Sequence, residues 1–172
     1  PTSDSRDHLT FYMLYYEESP QIWHVKVTNQ FGINQELYVQ GPLMLAVPTQ
    51  KIPHASPLGL DHFLVYEVVD VVGLSPEADV YLEDQWTSGS TDLGAPVLFA
   101  NPVKKTHGAD VTPIKHPNDH LLLYWIGSGD FFMPEQPIEN QFGPQFLSVY
   151  EDVSGDLLGV PSLKTEWSLA VP

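Results

Sequence analysis

Apolar and polar residues alternate with a period of two along much of this chain, in segments that are each only a few residues long. WHVKVTNQF from Trp23 and ADVYLEDQW from Ala78 alternate in this way, and HFLVYEVVDVV from His62 is a nearly continuous apolar run. Gly, Pro, Asn and Asp cluster between the segments, and the 3.6-residue period of an amphipathic helix never lasts beyond a turn or two. The pattern predicts an all-β protein of about a dozen antiparallel strands.

The predicted strands recur in three similar units. Each unit opens with Asp-His and carries a Tyr five residues after the Asp, and these segments are termed the Asp-His strands: DHLTFYML from Asp7, DHFLVYEV from Asp61 and DHLLLYWI from Asp119. They are spaced by about 55 residues, a period typical of repeat architectures. The sequence therefore predicts a single domain, 1–172, made of the repeats 7–60, 61–118 and 119–164 and a tail, 165–172.

Two further motifs occur at fixed places in each repeat. About twenty residues after the Asp comes the Gln-aromatic element, an Asn or Asp followed by Gln and an aromatic ring. Its three copies contain Gln30-Phe31, Gln85-Trp86 and Gln141-Phe142. Each repeat then ends in a closing strand, an apolar run with a Pro and, three residues later, a Lys: LMLAVPTQK to Lys51, VLFANPVKK to Lys105 and LLGVPSLK to Lys164.

Two all-β architectures fit three such units of about four strands each. A trefoil-like, pseudo-threefold barrel removes exposed sheet edges by closure, and small packed sheets or a sandwich form the other possibility. A single β unit of about 57 residues is marginal on its own, so neighbouring units are expected to share a core.

The three ordered motifs resemble an uncharacterised bacterial and archaeal family of secreted repeat domains, a domain of unknown function. The resemblance rests on DH-x3-Y, V-x-N-Q-F-G and V-P-x-x-K and covers nearly the entire chain. It implies a secreted β-rich module without known catalytic residues, and it supplies no activity.

Members of that family commonly carry a cysteine just before the Tyr and another two residues before the Pro. This chain has no cysteine and carries one large and one very small apolar residue at these positions. Such a pair preserves the volume of a shared core position where the bridge is absent. The resemblance therefore predicts that Phe11 lies against Ala46, Val65 against Ala100, and Leu123 against Gly159.

The Asp-His pairs are candidates for metal ligation or proton transfer, but a structural role is expected. An Asp at the start of a strand readily accepts hydrogen bonds from backbone N–H groups, and a feature of every repeat normally serves the fold. A zinc or copper site would require the three His side chains to meet on a threefold axis. The residues concerned are Asp7, His8, Asp61, His62, Asp119 and His120.

The Gln-aromatic element is either a ligand platform or a strand end with a buried ring, an amide that binds the turn backbone and a Gly with positive φ. Gly32 and Gly143 directly follow the ring in two repeats and favour the turn, whereas a longer polar loop follows Trp86. The three closing lysines either form ion pairs with a neighbouring unit or subunit or are solvated.

Motifs of common enzyme classes are missing from the sequence. It has no G-x-S-x-G, H-E-x-x-H or Gly-rich phosphate loop and no cysteine nucleophile, so a non-enzymatic protein is expected. No cofactor is expected, apart from a weak match to a calcium loop in which Asp152 and Asp156 supply oxygen ligands without the usual bidentate Glu.

The chain is strongly acidic, with 7 Lys and Arg, 22 Asp and Glu, and a formal net charge of −15. This charge repels phosphate backbones and anionic membrane surfaces, and the apolar runs are far shorter than the roughly 20 residues of a membrane helix. Neither nucleic acid binding nor membrane insertion is expected. The acidity, the 16 prolines, the few lysines and the strand-rich pattern favour a secreted or cell-surface protein.

Two functions are compatible with these features of the sequence. The expected one is an extracellular structural protein that polymerises head to tail with itself through β contacts, and the alternative is a glycan- or surface-binding module with aromatic rings around a groove. The tail ends in Leu169-Ala170-Val171-Pro172, which copies Leu45–Pro48, and with Trp167 it is a candidate strand for addition to the next copy. The head, residues 1–6, is another candidate strand, and a tail folded onto its own domain is the alternative.

Overall fold

The structure, a computed structural model, describes residues 7–15, 21–53, 59–73, 78–83, 88–127, 132–150 and 156–170. None of these residues lies in a helix, and they form twelve β-strands, which confirms the all-β prediction. The strands are β1 His8–Met13, β2 Ile22–Asn29, β3 Gly32–Lys51, β4 His62–Val72, β5 Ala78–Glu83, β6 Ser88–Val103, β7 Lys105–His107, β8 Asp110–Thr112, β9 His120–Ile126, β10 Phe132–Asn140, β11 Gly143–Tyr150 and β12 Asp156–Leu169.

Six antiparallel strands close into a barrel in the order β2, β3, β4, β6, β9 and β12, with β12 returning to β2. Each repeat contributes two strands to the barrel. Of the two architectures that the sequence leaves open, the structure therefore has the barrel. The threefold pattern is broken in one respect. The second and third repeats supply their Asp-His and closing strands, whereas the first supplies β2 and β3.

Asp-His and closing strands also alternate across one continuous run of six strands, termed the alternating strip: β1, β3, β4, β6, β9 and β12. Within each repeat, the Asp-His strand pairs with the closing strand of the same repeat. The closing strands β3 and β6 pair along their other edge with the Asp-His strand of the next repeat. The strip is therefore continuous across the boundaries between repeats.

The residue pairs inferred from the missing cysteines lie directly opposite one another across paired strands, which confirms that inference. A Cβ added to Gly159 would meet the Leu123 Cγ at 3.9 Å, an ordinary packing distance. Each pair thus sets one large apolar side chain beside a very small residue on the neighbouring strand. The opposed pairs are Phe11 with Ala46, Val65 with Ala100, and Leu123 with Gly159.

Two apolar clusters form the core. The barrel cluster draws on β2, β3, β6, β9 and β12 and includes the fully buried Tyr124 and Leu37. The strip cluster contains Ala46, Phe63, Val65, Leu98, Ala100 and Leu123. Because neighbouring residues of a strand point to opposite faces, Leu122 in the first cluster and Leu123 in the second place the clusters on opposite faces of β9. All three repeats contribute to the barrel cluster, as a shared core requires.

β3 and β6 are long because each runs from the middle strand of its repeat into the closing strand. In β3 the interruption is at Gly41, which has a φ of 117°, and at the cis peptide to Pro42. The first half of β3 pairs with β2 and the second half with β1. The hairpin of β10 and β11 adds to the end of β3 through Lys51, which lies opposite Ile138.

Candidate functional site

The Gln-aromatic element of the first repeat binds the third repeat. The Asn29 carboxamide donates hydrogen bonds to the hydroxyls of Tyr124 at 2.9 Å and Ser162 at 3.1 Å. The Tyr124 hydroxyl donates in turn to Gln35 Oε1 at 3.1 Å. The Phe31 ring lies edge-on against the Tyr124 ring, with 5.5 Å between centroids. Since Tyr124 is fully buried, this network belongs to the core.

The third repeat binds the first through the same arrangement. Asn140 Nδ2 donates to the hydroxyls of Tyr12 at 2.8 Å and Thr49 at 3.3 Å. The Tyr12 hydroxyl donates to Gln145 Oε1 at 2.9 Å, and the Phe142 ring lies edge-on to the Tyr12 ring at 4.8 Å. The first and third repeats therefore bind each other reciprocally through their Gln-aromatic elements, and this is termed the exchange. In each element, the Asn binds the Tyr of the Asp-His strand and a hydroxyl of the closing strand, both of the other repeat.

The turns of both elements are held by an amide side chain, as the turn interpretation of the sequence expects, and this amide is the Asn. Asn29 Oδ1 accepts a hydrogen bond from the Phe31 N–H, and Asn140 Oδ1 accepts one from the Phe142 N–H, both at 2.9 Å. An Asn that binds the backbone N–H two residues later forms an Asx turn. The element of the second repeat lies outside the described residues, and this includes Gln85 and Trp86.

The glycines and rings of the two described elements differ. Gly143 has the expected positive φ, 94°, whereas Gly32 is needed for space, because an added Cβ would lie 2.8 Å from the Gln35 side chain. The Phe31 ring is partly buried. Phe142 is 55% exposed, so the expectation of a buried ring is wrong in the third repeat. Gln30 is exposed.

The histidines of the second and third Asp-His strands are buried at separate places. His62 Nε2 lies 3.2 Å from Gln141 Oε1, and His120 Nδ1 lies 3.0 Å from the Asn118 carbonyl oxygen. Burial lowers the pKa of both imidazoles, although each hydrogen bond acts in the opposite direction. His8 is partly buried at the start of β1. The two buried rings therefore belong to the packing of the fold.

The three Asp side chains differ in their surroundings. Asp61 is buried, and its carboxylate accepts hydrogen bonds from the backbone N–H groups of Lys115 at 2.8 Å and His116 at 2.7 Å. These groups lie just before the third Asp-His strand, so Asp61 fastens the link between two repeats, in agreement with a structural role. Asp7 is half-buried and Asp119 is exposed.

The three closing lysines lie in different surroundings. Lys51 is buried, and Lys105 opens the small hairpin of β7 and β8. Lys164 Nζ donates a hydrogen bond to Asn101 Oδ1 at 2.7 Å, and burial lowers its pKa. Because Lys164 binds a neutral amide, it fits neither the ion-pair hypothesis nor the solvated alternative.

Among the described residues, side chains that could hold a metal ion do not cluster. Within the part of the chain that the structure describes, no group of three or more His, Asp or Glu is placed to bind one. Of the two residues in the weak calcium match, Asp152 lies outside the described residues and Asp156 is exposed at the start of β12.

The alternating strip ends at β1, and this end is open. One edge of β1 pairs with β3, and its other edge pairs with no strand of the described ranges. Phe11 on β1 is 39% exposed, whereas the equivalent residues of the inner Asp-His strands, Val65 and Leu123, are 0% and 5% exposed. The difference arises because each inner Asp-His strand lies between two closing strands.

The other end of the strip, at β12, is open as well. Residues 156–162 pair with β9 along one edge, and along the other edge they pair with no described strand. Gly159 is exposed there, although its equivalents Ala46 and Ala100 are completely buried. Leu157 is 38% exposed. Both ends of the strip therefore present apolar side chains beside an unpaired edge.

The tail lies in the barrel wall of its own chain. Trp167 lies opposite Val25 and Leu169 opposite Trp23, in an antiparallel pairing of β12 with β2. This is the alternative to strand donation that the sequence left open. Val171 and the head, residues 1–6, lie outside the described residues.

A cavity of about 220 Å³ lies beside this pairing of β2 with β12. Its walls include the rings of Trp23, Trp167 and Tyr66, and the centroids of the two Trp rings are 5.6 Å apart. Asn101 and Lys164 supply its polar atoms. Apolar walls with a few placed polar groups are typical of small-molecule sites.

Sequence reasoning missed the partners of the Gln-aromatic element, although a signal for them exists. The Tyr of each Asp-His strand recurs at a fixed place, and Thr49 and Ser162 both directly follow the closing Pro. These are the hydroxyls that the Asn side chains bind. The open ends of the strip have no comparable local signal.

No helix of the described ranges is long and apolar enough to cross a membrane. No curated protein and no solved structure matches the chain. A family model described as a repeat of unknown function, DUF7450, matches residues 8–154. This span covers most of the chain and includes the three Asp-His strands β1, β4 and β9. The chain therefore belongs to the DUF7450 repeat family.

Proposed function

We propose that the protein is a non-enzymatic structural subunit that assembles head to tail with further copies of itself, outside the cell or at its surface. The observation that carries this proposal is the alternating strip with its two unlike open ends. β1 offers the edge of an Asp-His strand, and β12 offers the edge of a closing strand. Within the chain, edges of these two kinds pair twice, β3 with β4 and β6 with β9. A third pairing of the same kind would join two copies.

The pairing of a closing strand with the Asp-His strand that follows it is termed a joint. A joint between two copies is favoured because unpaired strand edges and exposed apolar side chains cost free energy. An unpaired sheet edge presents free N–H and C=O groups and readily adds another strand. Full burial of a Leu or Phe side chain contributes about 1.5–3 kcal/mol, and Phe11 and Leu157 retain part of that area for a partner. The acidic, proline-rich and lysine-poor composition supports a location outside the cell.

The tail is not needed as a donor strand in this proposal. Residues 163–169 already pair with β2, and in doing so they leave the edge of residues 156–162 open. Assembly therefore requires no rearrangement of the described strands.

Replacement of Leu157 by Lys tests the proposal. The side chain is partly exposed in the single subunit, so Leu157→Lys is expected to fold normally. At a joint, however, it would place a charge against apolar residues, and burying an unpaired charge is strongly unfavourable. Electron microscopy and light scattering at high concentration are expected to show linear assemblies of the intact protein and single subunits of the variant.

Leu163→Lys is the matched control. Leu163 lies on the same strand and is 50% exposed, but it pairs with β2 beyond the open edge. This variant should assemble like the intact protein. An intact protein that remains monomeric at high concentration would contradict the proposal, as would equal assembly of the two Lys variants.

The cavity favours a second candidate function, the binding of a sugar. Its volume suits about one sugar ring, Trp23 and Trp167 offer flat apolar faces, and Asn101 and Lys164 offer hydrogen-bond donors. Glycan-array binding that is lost in Trp167→Ala and kept in Trp125→Ala would support this function. Trp125 is partly exposed on β9 and does not line the cavity. Absence of glycan binding by the intact protein would exclude it for the glycans tested.

A further inference from the structure

The two joints inside the chain have the same register. In the first, Ala46 of the closing strand lies opposite Phe63 of the next Asp-His strand. In the second, Ala100 lies opposite Leu121. In both cases the residue two before the closing Pro faces the residue two after the Asp. The fold thus repeats one joint twice, in strands from three different repeats.

We infer that two copies join in this same register, with Gly159 of β12 in one copy opposite Leu9 of β1 in the next. Gly159 stands two residues before Pro161, and Leu9 stands two residues after Asp7. The inference rests on the proposed head-to-tail assembly and specifies its interface. The partner is therefore a second copy of this chain, bound through an antiparallel strand pair.

The side chains at this register are complementary. Antiparallel pairing of Gly159 with Leu9 places Leu157 opposite Phe11. Both residues are apolar and exposed, one at each open end. Inside the chain, Leu98 faces Leu123 at the equivalent place, and both are buried. The joint would extend the strip cluster from one copy into the next.

The size of Gly159 also fits this position. Its equivalents in the inner joints are Ala46 and Ala100, which are 0% exposed between two strands. In each case a large side chain of the next Asp-His strand, Phe63 or Leu121, lies opposite. A residue without a Cβ leaves room for Leu9 of an incoming strand, while Leu123 lies on the other side within the same chain.

The joint gives the assembly a direction. Each copy carries one edge of each kind, so the contact joins unlike surfaces and leaves an unlike edge free at each end of any dimer. The register thus specifies an open chain of copies and not a closed pair.

Engineered cysteines test the register directly, because the chain has none of its own. One preparation of the protein carries Leu9→Cys, and a second, isotopically labelled preparation carries Gly159→Cys. The two preparations are mixed and oxidised. Mass spectrometry is expected to show a covalent dimer of unlike chains. Mixing Leu9→Cys with Leu157→Cys should give about tenfold less, because residues two places out of register are too far apart for a disulfide.

A matched control has the same register inside one chain. Ala46→Cys combined with Phe63→Cys should form an intramolecular bridge, which shows that this geometry permits oxidation. If the intact protein assembles but Leu157→Cys links to Leu9→Cys at least as well as Gly159→Cys does, the register is wrong and the assembly stands. The same holds if neither pair links while the internal control does. If the intact protein never assembles, the proposed function and this inference both fail.

Discussion

Tyr124 and Tyr12 are equivalent residues of two Asp-His strands, and each holds the Gln-aromatic element of the other repeat. Both hydroxyls accept a hydrogen bond from an Asn side chain and donate one to a Gln carbonyl. A buried hydroxyl with partners on both sides fixes the orientation of every group it touches. Besides the pairing of β2 with β12 and of β3 with β10, the first and third repeats are thus connected by two small networks of polar side chains.

Replacement of Tyr124 by Phe removes both bonds without changing the shape of the ring. Asn29 and Gln35 then each lose a buried partner, so the free energy of unfolding should fall by about 1–3 kcal/mol. Urea denaturation measures this change. Tyr81→Phe is the control, because Tyr81 is exposed on β5, and its effect should stay within about 0.5 kcal/mol. Equal effects of the two variants would show that the network adds nothing to stability.

Buried histidines make stability depend on pH. Burial lowers the pKa of His120 and His62 in the folded protein, so below the unfolded value of about 6.5 the unfolded chain binds protons that the folded chain resists. Stability should therefore decrease as the pH falls below about 6.5. His120→Gln should flatten this dependence in denaturation curves taken from pH 7.5 to pH 5.5. His107→Gln, at an exposed position on β7, should leave it unchanged, and identical slopes for the two variants would refute the explanation.

Between elements, the pairing of each Asp-His strand with its closing strand is the unit that recurs. Val65 of β4 and Ala100 of β6 lie directly opposite one another. Val65→Cys with Ala100→Cys should therefore oxidise spontaneously and raise the free energy of unfolding by about 3 kcal/mol. Denaturation with and without a reducing agent measures the gain. Either single variant should show no dependence on the reducing agent, and failure of the double variant to oxidise would contradict the register.

The sequence predicts local features of this fold well and distant ones poorly. Alternation indicates which face of a strand is buried, and the resemblance to a cysteine-bearing repeat family predicts the pairing of Phe11 with Ala46, because both concern a single repeat. For the binding of Asn29 to Tyr124, the sequence indicates the type of partner, a recurring Tyr, but not the repeat that supplies it. All three repeats carry similar motifs, so the sequence does not show which copy of the Tyr each Asn binds. The same ambiguity conceals that β12 closes the barrel on β2 and that one edge of β1 pairs with no described strand.

At the scale of the whole molecule, charge opposes assembly and apolar burial favours it. Two copies that each carry a net charge of −15 repel one another, and this repulsion is screened beyond about 10 Å at 0.1 M salt. The proposed joint, in contrast, is apolar and short-ranged. Light scattering should therefore show more assembly as sodium chloride rises from about 0.01 to 0.5 M. A decrease over this range would indicate a joint held by ion pairs instead.

The exchange between the first and third repeats also bears on the order in which the chain is synthesised. Asn29 binds side chains that lie 95 and 133 residues later, and β2 pairs with β12, the last strand. The first third of the chain therefore leaves the ribosome long before its partners exist, and contacts between such distant residues form slowly. A chain truncated before Ser162 will not yield a smaller stable module, since it lacks the strand that completes the wall. The barrel wall is thus completed only after β12 has been synthesised, and until then β2 lacks the strand that pairs with it.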